Sequence, residues 1–329
     1  MSAAPFLSVR NLDVVFSTTR GALKAVDDLT LDVCPGEILG LVGESGSGKS
    51  VTLRAILRLL RGNASVSGEI VFKGEELLSA SERRMEQLRG AGIGMIFQEP
   101  MTALNPVLPI GLQIEETLAA HGLRQARVRR SRAIDLLQQV GIPAPEGRLA
   151  SFPHEFSGGM RQRAMIAIAL AASPSLLLAD EPTTALDVTI QDQILKLLKR
   201  LTGELGMAMI LVTHDLGVVA ETCDRVSVMY AGRIAESAPV EALFAAPRHA
   251  YTQALLRSAP HGGAPRTPLN PIKGQPPQLD APIPGCAFAP RCEFSEAACV
   301  VSRPPLVELS EGQSSACLAR DRLPPWRAP

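Results

Sequence analysis

The chain has 329 residues, 46% of them hydrophobic, and its 33 Lys+Arg are matched by 33 Asp+Glu. That length holds one large domain with an appendage or two modest domains, and that apolar fraction builds a sizeable core. With no net charge, the chain lacks the field expected of a nucleic-acid binder or of a coat on an anionic membrane; the basic run from Arg124 to Arg132 reads as a solvated helix face.

Residues Met1 to Phe16 show no basic segment followed by an apolar core, so no signal peptide is expected. Leu7 to Val15 and Leu29 to Val33 carry the alternating, β-branched pattern of strands. Pro35-Gly36 turns the chain into Ile38 to Val42, an apolar run that reads as a buried strand. Next comes Gly43-Glu44-Ser45-Gly46-Ser47-Gly48-Lys49-Ser50, followed by Val51, Leu53, Ile56, Leu57 and Leu60 at helical spacing, with an end near Gly62.

Strand, glycine loop and helix in that order are the context that G-x-x-x-x-G-K-[ST] requires. Glycines let backbone N–H groups converge on phosphate oxygens, and the positive helix start adds to them. Lys49 is placed to reach the β- and γ-phosphates of a nucleoside triphosphate and the Ser50 hydroxyl to coordinate Mg²⁺, with Val51 the next residue of the helix.

Further strands are expected at Ser67 to Phe72 and Ile93 to Phe97. Pro106 to Val140 reads as helical and charged, with breaks at Gly111, Gly122 and Gly141. Phe156-Ser157-Gly158-Gly159-Met160-Arg161-Gln162 precedes a small-residue helix, Arg161 to Ala172, and Ser157 suits its N-cap. A cap alone leaves the two glycines unaccounted for, since they cost helix stability and serve best where a ligand approaches the backbone. The run Ala164 to Ala172 is the longest uniformly apolar stretch, far too short to span a bilayer.

Leu176 to Ala179 is a buried strand ending in Asp180-Glu181. Asp180 is placed to hold Mg²⁺, and Glu181 to polarise an attacking water as general base. Val188 to Leu205 is an amphipathic helix with Ile190, Ile194, Leu197, Leu198, Leu201 and Leu205 on one face. Met207 to Thr213 and Val226 to Met229 are further strands. Strands alternating with helices give an α/β core with a largely parallel sheet.

After Pro247 the composition changes, and between Pro260 and Pro290 prolines and glycines are dense without periodicity. This stretch reads as a coreless extension, pinned by something other than apolar packing. Cys286, Cys292, Cys299 and Cys317 follow the pattern C-x₅-C-x₆-C-x₁₇-C, which a metal would exploit; all-thiolate ligation suits an iron–sulfur cluster or zinc, and four free thiols are the plain alternative. Cys34 and Cys223 lie apart and read as small buried residues.

The sequence Gly43 to Ser50, Phe156 to Gln162 and Leu176 to Glu181, in this order, resembles the ATP-binding subunits of ABC transporters. Phe156 and Met160 stand where leucine and glutamine are commoner in the family signature. The resemblance implies a P-loop NTPase core with an antiparallel β subdomain, an inserted helical subdomain near residues 100–160, a nucleotide-binding domain over residues 6–255 and a C-terminal extension over 256–329. It also implies roles: Gln98 as the Q-loop glutamine at Mg²⁺ and the attacking water, Asp187 in the D-loop, His214 as the switch histidine at the γ-phosphate, and Phe16 stacked on adenine.

In that family two cassettes pair head to tail, so Ser157, Gly158, Gly159 and Gln162 of one chain face the ATP held by the other. Gln98 to Pro106, Phe152 to Glu155 and Glu181 to Thr189 resemble most closely the oligopeptide/dipeptide importer branch. That branch implies two permeases, an extracytoplasmic solute-binding protein, a related cassette as heterodimer partner, no nucleic acid, a place on the cytoplasmic face of the inner membrane, and a [4Fe–4S] cluster on the four cysteines. Peptide, glutathione and nickel chelate all remain open as cargo. A soluble ABC ATPase outside transport is the other class, expected to carry tandem cassettes or long coiled coils, and the sequence shows neither.

Overall fold

The computed structural model describes residues 5–19, 21–258, 271–310 and 312–326. Much of the Pro/Gly-rich stretch, residues 259–270, lies outside the described residues. The chain divides into two compact units. One takes the chain up to Cys34, residues 38–78 and everything from Thr213 onward; the other takes 35–37 and 79–212.

The first unit begins with β1 (Leu7–Thr18) and β2 (Gly21–Val33), paired antiparallel, and β3 (Ile38–Val42), all five of whose residues are buried. β3 runs through the glycine loop into α1 (Lys49–Ile56), shorter than its apolar spacing suggests because Leu57 caps it and Arg58 turns left-handed at φ 52°. β4 (Ala64–Phe72) pairs with β1 and the short β5 (Glu75–Glu76) with β4, giving the order β2-β1-β4-β5. This is the antiparallel β subdomain.

The second unit is mostly helical. It starts with α2 (Glu82–Ala91), capped by Ser81, whose side chain accepts from the Arg84 N–H. β6 (Ile93–Ile96) leads to α3 (Pro100–Ala103), α4 (Ile110–Ala120), α5 (Ala126–Gln139), α6 (Pro145–Arg148) and α7 (Gly158–Leu170). Ile114 and Leu118 of α4 and Ala133, Leu136 and Leu137 of α5 are buried. Gly122 and Gly141 break the helices at φ 93° and 78°, as expected.

Gly111 breaks nothing. It lies in the first turn of α4, where a Cβ would stand 2.7 Å from the Leu149 carbonyl oxygen, so glycine there permits a close approach. β7 (Leu176–Asp180), α8 (Val188–Leu205) and β8 (Ala208–Thr213) complete the unit, with β6, β7 and β8 parallel. α8 has the predicted bounds, and of its predicted apolar face only Leu205 is exposed.

Back in the first unit, α9 (Leu216–Thr222) precedes the hairpin of β9 (Arg225–Tyr230) and β10 (Arg233–Pro239), with β9 parallel to β3. α10 (Val240–Ala245), α11 (Ala250–Ser258) and α12 (Ala297–Val301) follow. β11 (Val307–Ser310) and β12 (Gln313–Ser315) then add to β10, so these strands run in the order β11-β12-β10-β9-β3.

The extension is not coreless. Phe288 is 3% exposed within the apolar cluster that holds Tyr230, Tyr251, Val240 and Leu243, and Cys286, Cys292, Phe294, Leu323 and Trp326 pack on it. The buried carboxylate of Glu236 adds polar joints, accepting from the backbone N–H groups of Arg248 and His249 and from the Gln313 amide.

Candidate functional site

The loop between β3 and α1 is shaped by glycines that no other residue replaces. Gly43 has φ 153°, and a Cβ there would stand 2.1 Å from the Met229 carbonyl oxygen. Gly48 has φ 104°, and its Cβ would meet the Ala25 carbonyl oxygen at 2.5 Å. Ser45 and Gly46 are exposed at the rim, while Ser47, Gly48 and Lys49 are buried. The Lys49 ammonium donates to the carbonyls of Gly43 at 2.8 Å and Glu44 at 3.0 Å, and Ser50 and Val51 open α1 half-buried. A buried cation beside glycine backbone at a helix start suits an anion of high charge.

The carboxylates lie in the second unit, at the end of β7. Asp180 is fully buried, and a desolvated carboxylate of this kind requires a cation or strong donors. Glu181 takes a left-handed conformation, φ 45°, uncommon for a non-glycine residue and costly. Its backbone N–H donates to the Val212 carbonyl, and its carboxylate accepts from the Gln98 amide at 3.2 Å and from the Thr184 hydroxyl at 2.9 Å. The structure thus joins Gln98 to Glu181, and an amide oxygen is a hard donor of the kind Mg²⁺ accepts.

The second glycine motif divides by purpose. Ser157 is the N-cap of α7, accepting from the Met160 N–H at 3.3 Å, as predicted. Gly159 permits helix packing: a Cβ there would stand 2.9 Å from Ile190 Cγ2 of α8. Gly158 is exposed, and its Cβ would meet only Leu186 at 3.6 Å, so it leaves the backbone open to an approaching ligand. Gln162 differs from these, at 2% exposed on the inner side of α7 and outside the exposed surface that Ser157 and Gly158 form. Asp187 is the N-cap of α8, accepting from the Ile190 N–H at 2.9 Å.

His214 is exposed immediately after β8, and Phe16 is half-buried near the end of β1.

Cys286, Cys292, Cys299 and Cys317 line one small cavity together with Phe288, Phe294 and His249. Burial raises the Cys286 and Cys317 thiols and pushes Cys292 up to about 11. The expected metal site is not met in its simplest form. Among the described residues no three His, Cys, Asp or Glu groups lie close enough to hold one metal ion.

One feature of the loop escaped the sequence. Arg291, beside Cys292, donates to both carboxylate oxygens of Glu44 at 2.6 and 3.0 Å, and its side chain is only 4% exposed. The guanidinium lies 5.9 Å from the ring centres of both Tyr230 and Phe288 and donates to the Tyr230 hydroxyl at 3.2 Å. The Glu44 backbone N–H donates to the Tyr251 hydroxyl at 2.9 Å. The residues of this ion pair are 247 apart in sequence, and no spacing signals it.

The chain is similar to known proteins. The ABC transporter family matches residues 26–184, and the family "Oligopeptide/dipeptide transporter, C-terminal region" matches residues 235–299. A putative peptide import ATP-binding protein of Brucella abortus is 49% identical over 321 residues, covering 97% of this chain and 96% of its own. A probable peptide ABC transporter ATP-binding protein of Sinorhizobium fredii is 51% identical over 316 residues, 94% of each chain. This chain is an ABC transporter ATPase subunit.

The fold agrees as well. An ATP-binding cassette solved as a dimer in a post-hydrolysis state bound to ADP and Pi superimposes with a TM-score of 0.64 at 29% identity, covering 71% of this chain and 98% of its own. A Clostridium perfringens subunit, part of an ABC transporter complex, gives 0.63 at 29% identity, covering 74% of this chain and 92% of its own.

Proposed function

We propose that this ATPase powers the import of di- or oligopeptides. The observation that carries this reading is the near-full-length identity, about half of all residues, to proteins named for peptide import, together with the match of the oligopeptide/dipeptide C-terminal region. Glutathione and nickel chelates are the competing cargoes.

In this reading Gly43 to Val51 hold the triphosphate, with Phe16 against the adenine. Ser50, Asp180 and Gln98 would hold Mg²⁺, which would neutralise phosphate charge. Glu181 takes the proton of the attacking water, held by the Gln98 and Thr184 hydrogen bonds, and His214 meets the γ-phosphate. A second cassette supplies its own Ser157 and Gly158 to this site, and the exposed start of α7 makes the reciprocal contact. A related but distinct cassette is the preferred partner.

No described helix is long and apolar enough to cross a membrane. We place the chain on the cytoplasmic face of the inner membrane, held there by two permeases that an extracytoplasmic binding protein feeds, as its relatives named for peptide import suggest. The four cysteines suit a [4Fe–4S] cluster, whose irons each take one thiolate and so spread the sulfurs wider than one ion does. Such a cluster would cross-link the extension.

The test is reconstitution with the membrane subunits in vesicles. Peptide uptake should require MgATP, and Glu181→Gln should bind MgATP normally while losing hydrolysis by 100-fold or more, roughly the contribution of a general base. Undiminished turnover would remove Glu181 from that role. Uptake of a nickel chelate or glutathione in place of peptide would replace the cargo assignment. Anaerobically purified protein should hold about four irons per chain; zinc, or no metal, would refute the cluster.

A further inference from the structure

We infer that Arg291 is a positioning residue of the nucleotide site: the C-terminal extension holds the phosphate loop in its working shape through the Arg291–Glu44 pair. The inference rests on reading Gly43 to Ser50 as the phosphate loop, and it adds a residue that lies far from that motif.

Glu44 is gripped at both ends by the C-terminal part of the chain. Its carboxylate takes two parallel hydrogen bonds from Arg291, and its backbone N–H is fixed by the Tyr251 hydroxyl. The Glu44 carbonyl in turn accepts from the Lys49 ammonium, so a shift of Glu44 is felt directly by the cation that meets the phosphates. Arg291 is itself held tightly. It stacks on Tyr230 and Phe288, donates to the Lys273 carbonyl at 3.0 Å, and sits one residue from Cys292. Bidentate guanidinium–carboxylate geometry of this kind fixes direction as well as distance, and a buried pair broken on one side leaves an uncompensated charge.

That charge matters here because of what the loop binds. An unpaired carboxylate on its second residue would face a ligand carrying several negative charges. Arg291 cancels that charge while keeping the residue in place. A surface ion pair of no consequence would be single-toothed with both groups well exposed; here the contact is two-toothed, with the Arg291 side chain 4% and the Glu44 side chain 26% exposed.

The test compares Arg291→Met, Arg291→Lys, Glu44→Ala and the double variant Arg291→Met/Glu44→Ala in the full-length chain. MgATP is the probe, with the dissociation constant, ATPase KM and kcat, and the thermal midpoint as readouts. Arg291→Met should weaken MgATP binding and raise KM roughly tenfold while kcat stays within about twofold, with Arg291→Lys recovering part of the loss. Because Glu44 is the route, the double variant should be no weaker than Arg291→Met alone.

MgATP binding unchanged in Arg291→Met, with only a lower thermal midpoint, would reduce the pair to a structural staple and overturn the inference. Losses that add in the double variant would overturn it too. If Arg291→Met does not fold, Glu44→Ala decides: parental MgATP affinity there sinks the proposal. Lys49→Ala separates this result from the loop reading, because a chain that binds MgATP without Lys49 would remove the loop assignment itself.

Discussion

The phosphate loop and the C-terminal extension meet at one ion pair, yet they keep their shapes by different means. The loop is set by backbone geometry over a few consecutive residues, where Gly43 and Gly48 occupy conformations and spaces closed to a Cβ. The extension is set by contacts made far away in sequence: Phe288 among Tyr230 and Tyr251, Gln313 on Glu236, and Arg303 on Asp27. A locally determined element tolerates change around it and fails when its own residues change. A docked element spreads its dependence over many partners, so single losses weaken it by degrees.

Three substitutions measure that difference. Gly43→Ala should have the largest effect, abolishing MgATP binding in a titration, since the new methyl would overlap the Met229 carbonyl. Retained binding would show that the loop's backbone is less constrained than its geometry implies. Phe288→Ala comes next: losing a buried aromatic should cost about 3 kcal/mol in denaturant unfolding while MgATP binding persists at reduced affinity.

Asp27→Asn is the smallest. Burial alone would raise the Asp27 carboxyl, but hydrogen bonds from Arg233 and Lys24 and the nearby Arg303 charge bring it down to about 2. Its folded value lies below its unfolded one, so its stabilisation is present above pH 4 and is lost as the pH falls towards 2. The variant should be about 1 kcal/mol less stable at pH 7, an amount reduced by solvent screening, and should converge on the parent near pH 2. A gap that stays constant with pH would mean that Asp27 acts through packing rather than charge.

What the sequence disclosed follows the same division. The loop, Ser157 as a cap and the bounds of α8 were readable because each is written in adjacent residues: a glycine pattern, an N-cap serine, and an apolar period over Val188–Leu205. α2 was missed because only Met85 and Leu88 are buried in an otherwise polar stretch, although Ser81 offered a capping signal. Gly111 was misread as a break because its neighbour, Leu149, is distant in sequence. The second glycine motif was half legible: its position at a helix start was evident, but Gly159 packing on Ile190 was not. Arg291 carries no local signal beyond its place beside Cys292, and only folding brings it to Glu44.

The left-handed backbone at Glu181 has a consequence for anyone engineering this subunit. Glycine or asparagine would relax that conformation, so a library sorted only for heat tolerance should enrich Glu181→Gly or Glu181→Asn. Such winners would lose the carboxylate held by Gln98 and Thr184, so a thermostability campaign here should fix that codon before diversification begins.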